Sequence, residues 1–574
     1  MYEYGAQKYD TLPDGRIIFT DARDSSVRVL DPSTGKVDLI TQSSILRYAA
    51  FNANPKSSWV VAIEEDHTKP GAYEVKNYLV AINTDTKEIK RIVSGSDFYY
   101  IPEFSFDGTR LAWLEWNHPE MMFKHAQLHH GEWNPDGSVT NITFVTGKNE
   151  ESVTEPRWGY DGSLFFSREI NDYRQLFRIL PGSDKPEQVV LKGLEDAEIG
   201  EVSLLEGCRT VVPLTKTHLL ASVLRKGEHS IVSIDLENNS WRQVVDNQSI
   251  CRAGNRALIR ESDTTAIVVG AGRESLQSVF RVDITNPDRN QLLRRSSLTE
   301  YPADAISPPE GITIKSKGSP SREIHGWFHQ PHNAEYTGPE GELPPLVIWA
   351  HGGPTGCNPN SLSPKTQYLT SRGYAYLIVN HAGSTGYGGK YRDSLLGNWG
   401  ILDADDIAEF ANHLTETKRV KDGAVGITGI SAGGYNTLQC LTRHPDTFAS
   451  GVCVSGVSEL KSFGLTTHKL ETDYLSHLIF HKGITDEEQE KIYHDRSPLY
   501  HADKIKAPLL LIHAEDDTVV PLEQARSIEK VLREKKQTVE LIEVPDEGHS
   551  VGKPVNTKMW IEEEEKWWNK TLLN

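Results

Sequence analysis

The stretch AVGITGISAGGYNTLQCLTRH, residues 424–444, decides what the C-terminal half of this chain is. Its first seven residues form a short apolar run of the kind that parallel sheets bury on both faces. A helix is expected from near Gly433 through His444. Between strand and helix lies Gly429-Ile430-Ser431-Ala432-Gly433, a G-x-S-x-G pattern. A serine at a sharp strand-to-helix turn sits in strained backbone, and glycines two positions to either side let the helix approach the strand closely. The Ser431 hydroxyl is then presented to substrate, while the amide of Ala432 and the positive end of the helix face any developing negative charge. G-x-S-x-G occurs by chance in many chains; its strand–turn–helix context gives this instance its weight.

A serine hydroxyl is a poor nucleophile at neutral pH and needs a base, which in turn needs an orienting carboxylate. Downstream, the strand PLLLIH (508–513) runs into Ala514-Glu515-Asp516-Asp517-Thr518-Val519-Val520-Pro521. The strand TVELIEV (538–544) runs into Pro545-Asp546-Glu547-Gly548-His549. Both turns fall at strand carboxyl ends, where open α/β sheets build their sites. Among the adjacent acids Asp517 is preferred, because with Val520 and Pro521 it completes a D-x-x-V-P turn; Asp516 is the second choice and Glu515 the third. Upstream, His351-Gly352-Gly353-Pro354-Thr355-Gly356 follows the apolar run 344–350. Glycines there let the main chain approach the nucleophile, so Gly353 is expected to supply one oxyanion amide and Ala432 the other. The expected catalytic set is Ser431, Asp517 and His549.

Around these motifs the grammar is α/β. The runs 344–350, 374–380, 424–430, 449–456 and 507–514 alternate with amphipathic segments such as 403–416 and 522–535, which predicts a doubly wound, mostly parallel sheet. Residues 331–345, polar and rich in Pro and Gly, read as a surface loop. Before residue 300 the grammar differs. Short β-branched and aromatic runs alternate with turn signals, as in LPDGRIIFTDA (12–22), SSWVVAIEEDH (57–67) and WGYDGSLFFSRE (158–169). The units recur about every 45 residues, the mark of a β-propeller, with a β-sandwich as the alternative. Six units are countable and a seventh could be hidden among the faint ones. The expected fold is therefore a β-propeller of six or seven blades (1–300) followed by an α/β-hydrolase domain (301–574).

The 574 residues carry 61 basic and 80 acidic side chains, a formal charge of −19. That argues against nucleic acid or an anionic membrane surface as partner, since both need clustered positive charge. Five scattered cysteines without metal-ligand spacing, and no apolar stretch of spanning length, predict a soluble cytoplasmic protein with no metal and no cofactor. Oligomeric state is not legible, and a homo-oligomer is left open.

Together HGGPTG (351–356), NHAGSTGYGGKYRDSLLGNWGILDADD (380–406), GISAGGY (429–435), DDTVVPLEQA (516–525) and EGHS (547–550) resemble the prolyl oligopeptidase family of serine peptidases, closest to its acylaminoacyl-peptidase and dipeptidyl-peptidase-like branch. The resemblance implies a propeller that covers the site, and substrates that are oligopeptides or small acylated compounds. Members of the branch usually carry another blade before the segment resembling Met1-Tyr2-Glu3-Tyr4-Gly5, so a six-bladed propeller or a shortened gene product is expected. The position two after the acid, often Arg or Asn in such peptidases, is Val519, which has no donor for a substrate carbonyl. The segment between Ser458 and Arg496 falls where such enzymes build the substrate pocket. Tyr435, Phe463, Tyr474 and Val519 are the candidate substrate contacts, with core packing the competing reading for the aromatic ones. Glu64-Glu65 could hold a substrate ammonium, though a solvated strand end is the preferred reading. The Glu562–Glu565 run reads as an exposed helix side, with Trp560, Trp567 and Trp568 partly packed. Two functions compete: cleavage of short peptides or acylated amino acids, and hydrolysis of an ester or amide of a small metabolite. A propeller serving only as a binding module beside a dead hydrolase is the third and weakest.

Overall fold

Six antiparallel sheets succeed one another over residues 9–41, 46–93, 98–146, 153–188, 198–243 and 252–295, five of four strands and the fifth of five. The computed structural model describes residues 8–148, 151–201, 207–298, 300–318 and 320–573; Met1–Gly5 lie outside them. The chain divides into two units. The first runs through Ala271 and resumes at Gln277–Ser296; the second takes Gly272–Leu276 and everything from Ser297.

The first unit is a six-bladed β-propeller, and neither a sandwich nor a seventh blade appears among the described residues. The strand Trp59–Asp66 shows why. Seven of its eight residues are buried, although strict alternation would expose every second one. Both faces of each sheet are covered because blades stack on their neighbours. Ile18 and Val29 of the first sheet pack with Phe51, Val60 and Ile82 of the second. Leu220 and Ile231 of the fifth pack with Leu258 and Val268 of the sixth. First strands of successive blades are tied by polar groups. One oxygen of Glu103, in the third blade, lies 3.4 Å from Asn52 Nδ2 of the second and 3.5 Å from Arg157 Nη1 of the fourth. Arg209 Nη2 of the fifth reaches the same oxygen at 3.5 Å, and Asp10 of the first accepts the Ala53 amide at 2.8 Å.

Burial corrects the reading of Glu64-Glu65 as a solvated strand end. Both are buried; Arg91 Nε donates to Glu64 at 2.6 Å, and His67 Nε2 lies 3.2 Å from Glu65.

The second unit holds one eight-stranded sheet, its strands numbered here β1 (Glu310–Lys315), β2 (Glu323–His329), β3 (Leu346–Ala350), β4 (Ala375–Asn380), β5 (Val425–Ile430), β6 (Ser450–Val454), β7 (Leu509–Ala514) and β8 (Val539–Val544). Their order is 1-2-4-3-5-6-7-8, with β3 to β8 parallel and β1 and β2 antiparallel at one edge. Helices α1 (Leu402–Glu416), α2 (Ala432–Arg443) and α3 (Glu523–Glu534) cover one face through Phe410, Leu438 and Ile528. Helix α4 (Pro554–Leu572) covers the other through Trp567, Trp568 and Leu572. This is the doubly wound α/β-hydrolase architecture expected of the apolar runs. The expected surface loop 331–345 is irregular and largely exposed.

The Glu562–Glu565 run departs from expectation. Glu564 is buried, 2.8 Å from Lys365 Nζ, and Trp567 and Trp568 are buried rather than partly packed. The five cysteines are free thiols. Among the described residues no helix is long and apolar enough to cross a membrane.

Candidate active site

Ser431 stands between β5 and α2 with φ 59° and ψ −122°, a left-handed conformation that costs a non-glycine residue of order 1–3 kcal/mol. The turn is held from both sides: the Ser431 amide donates to the Val454 carbonyl at 3.0 Å, and the Tyr435 amide donates to the Ser431 carbonyl at 2.9 Å. The flanking glycines are demanded by packing. A Cβ on Gly433 would lie 2.1 Å from the Ala350 carbonyl oxygen, and one on Gly429 would lie 2.4 Å from that of Gly433. Helix α2 therefore sits directly on the end of β3. Its first residue is Ala432, whose amide has no acceptor within the helix.

Of the three acids after β7, only Asp517 is buried; Glu515 and Asp516 are exposed. Oδ2 and Oδ1 of Asp517 lie 2.8 and 3.0 Å from His549 Nδ1. Its Oδ1 also accepts the amides of Val519 (2.9 Å) and Val520 (2.8 Å). Burial alone would raise this carboxyl, but the His549 contact and the two amides hold it below the usual carboxylate range. An ionised carboxylate only accepts, so Nδ1 of His549 carries the hydrogen and Nε2 is the nitrogen without one in the neutral ring. The two loops are joined where the Asp516 amide donates to the Glu547 carbonyl at 3.0 Å. Glu547 fixes the histidine loop to the start of α4, accepting from the Lys553 amide at 2.8 Å and Asn556 Nδ2 at 2.9 Å.

The loop after β3 lies against Ser431: a Cβ on Gly352 would be 3.1 Å from the Ile430 carbonyl oxygen and 3.5 Å from Ser431 Cβ. Gly353 has φ 128°, open to glycine alone. The segment after β4 braces this loop. Ser384 Oγ meets His351 Nε2 at 2.8 Å, the Thr385 amide donates to Gly356 at 2.8 Å, and Asn380 Oδ1 accepts the Asn358 amide at 2.9 Å. His351 stacks on His381 with centroids 4.2 Å apart, and burial pushes both imidazoles down, so both are neutral.

The four candidate substrate contacts differ in burial and partners. Tyr435 is fully buried, tilted against Trp399, with its hydroxyl donating to the Arg496 carbonyl at 2.8 Å; it is core, which corrects its reading as a substrate contact. Tyr474 is also buried, and its hydroxyl is engaged by Thr355. Phe463 is half-buried on the short helix Leu460–Thr466. Val519 is half-buried and gives its amide to Asp517. Sequence reasoning assigned no task to Asn380, Ser384 or Glu547; their signal was membership in the motifs NHAGSTGYGG and EGHS.

Residues 360–574 match the prolyl oligopeptidase family. Dipeptidyl peptidase family member 6 of Caenorhabditis elegans is 25% identical over 83% of this chain and 66% of its own length. The acylamino-acid-releasing enzyme of Arabidopsis thaliana is 28% identical over 70% of this chain and 53% of its own. The chain thus spans only about two thirds and half of these curated relatives. A puromycin-hydrolysing peptidase of Mycobacterium tuberculosis superposes with a TM-score of 0.92 at 28% identity, covering 100% of this chain and 87% of the other. Fold and comparisons together define an enzyme of the serine hydrolase class. Within it, residues 360–574 carry the match to the prolyl oligopeptidase family of serine peptidases.

Proposed function

We propose that Ser431, His549 and Asp517 form a catalytic triad that cleaves short peptides or acylated amino acids through an acyl-enzyme. Ser431 Oγ attacks the carbonyl carbon while His549 Nε2 takes its proton. The amides of Gly353 and Ala432 hold the oxyanion. As the tetrahedral adduct collapses, the C–N bond breaks and His549 returns the proton to the leaving amine. Water, deprotonated by His549, then releases the acid and restores Ser431. The observation that carries the reading is the buried Asp517 carboxylate 2.8 Å from His549 Nδ1, together with Ser431 held at φ 59° in the turn between β5 and α2.

A second reading keeps the triad and changes the substrate to a small non-peptide ester or amide. Val519, without a donor for a peptide carbonyl, favours it, and so does the likeness to a puromycin-hydrolysing peptidase. Glu64-Glu65 are already matched by Arg91 and His67, which argues against their holding a substrate ammonium. Five free thiols fit a cytoplasmic setting.

Acyl-amino-acid anilides, free dipeptidyl anilides and aryl esters, each compared with Ser431→Ala, test the assignment. Turnover of the acylated anilides is expected, and turnover of esters alone would remove the peptidase reading.

A further inference from the structure

Tyr474 begins the short helix Tyr474–Ile479, far in sequence from the loop after β3, yet its hydroxyl bonds that loop. It donates to Thr355 Oγ1 at 2.6 Å and accepts the Thr355 amide at 3.2 Å. The ring is 3% exposed, and burial pushes the phenol up, so it stays a neutral donor and acceptor at working pH. Thr355 in turn abuts Gly353. A Cβ on Gly353 would lie 2.9, 3.0 and 3.1 Å from N, O and C of Thr355. The turn is so tight that Thr355 cannot shift without carrying Gly353 along. On its other side the loop touches the nucleophile through Gly352. An oxyanion donor acts only if its N–H is aimed at the position the charge will occupy.

We propose that Tyr474 is a positioning residue that fixes the Gly353 amide through Thr355, in place of the substrate contact its sequence position implied. The proposal rests on the triad and oxyanion assignment above. Ser384 and Asn380, which also hold the loop, belong to the segment after β4, whereas Tyr474 ties it to the Ser458–Arg496 segment. A lost tie leaves substrate affinity in place and weakens the transition state, which is a kcat effect.

Steady-state and burst kinetics on an aryl ester and an acylated anilide test this. Tyr474→Phe, which keeps the ring, is expected to lower kcat about tenfold with KM within about twofold of wild type. Thr355→Val should do the same, the double variant should lose little more than either single one, and Thr355→Ser should restore the rate. A raised KM at wild-type kcat would overturn the proposal and make Tyr474 a substrate contact. Unchanged kinetics in both single variants would also overturn it. Ser431→Ala separates the two claims: loss of turnover there beside a silent Tyr474→Phe sinks the strut alone, whereas retained turnover sinks the triad. Should Tyr474→Phe fail to fold, the Thr355→Val and Thr355→Ser pair gives the same decision.

Discussion

Asp517 and Asp516 are neighbours of identical chemistry, and only their surroundings tell them apart. Asp517 is buried with three partners, whereas Asp516 is exposed and contributes its amide to the His549 loop. Asp517→Asn keeps the shape but loses the charge that orients the imidazole. A loss of kcat of about 10⁴-fold is expected, against little change for Asp516→Asn, measured with any accepted substrate. Gly433 makes a steric prediction at the same scale: Gly433→Ala places a methyl 2.1 Å from the Ala350 carbonyl and should lower the melting temperature by several degrees or prevent folding. Motif and strand context coincide on Ser431 and His549, which is why both stand out in the sequence. The choice of acid rested on turn spacing alone, because burial of one carboxylate among three is a property of the folded loop. Tyr474 was legible as an aromatic near the site but not as a strut, since its partner lies 119 residues away.

At the scale of elements, α1 carries two buried acids beside α2. Asp403 accepts the Gly400 amide at 2.7 Å, and burial pushes it up to about 7. Asp406 is pushed up to about 6 by burial, despite its pairing with Arg322. Tyr435, Arg496 and Cys440 of the neighbouring elements share Asp403's surroundings. An acid whose folded pKa exceeds its unfolded value of 3.8 binds its proton more tightly when folded. Its contribution to stability therefore falls as pH rises from about 4 to about 7 and is flat beyond. Asp403→Asn removes that slope. Its melting temperature should match wild type near pH 4 and exceed it by a margin that grows to a plateau above about pH 7; a constant difference across the range would refute the assignment. The parallel strands and α1 to α3 were legible because apolar runs and helical periods mark elements buried against one sheet. The edge strands β1 and β2 were not. Alternate positions of each are at least partly exposed, and Gly311 or Gly326 interrupts the apolar pattern, so neither reads as a buried run.

For the molecule as a whole, two different solutions to burial stand in one chain. The hydrolase sheet is sealed by helices on both faces, and the propeller by blades stacked on one another with a charged hub between their first strands. Removing Glu103 leaves Arg157 and Arg209 facing each other without their common acceptor. Glu103→Ala should cost the propeller about 2–4 kcal/mol, and Glu103→Gln less, seen as a lowered urea midpoint. The period of about 45 residues carried the propeller class, but no period reports that Glu64 and Glu103 are matched by arginines from elsewhere in the propeller. The central claim is a working Ser431–His549–Asp517 triad, and mass spectrometry after reaction with a fluorophosphonate tests it most directly. The expected result is one adduct, on the peptide containing Ser431, lost in Ser431→Ala and strongly slowed in His549→Ala. An unlabelled wild-type protein, or an adduct that persists in Ser431→Ala, would contradict it.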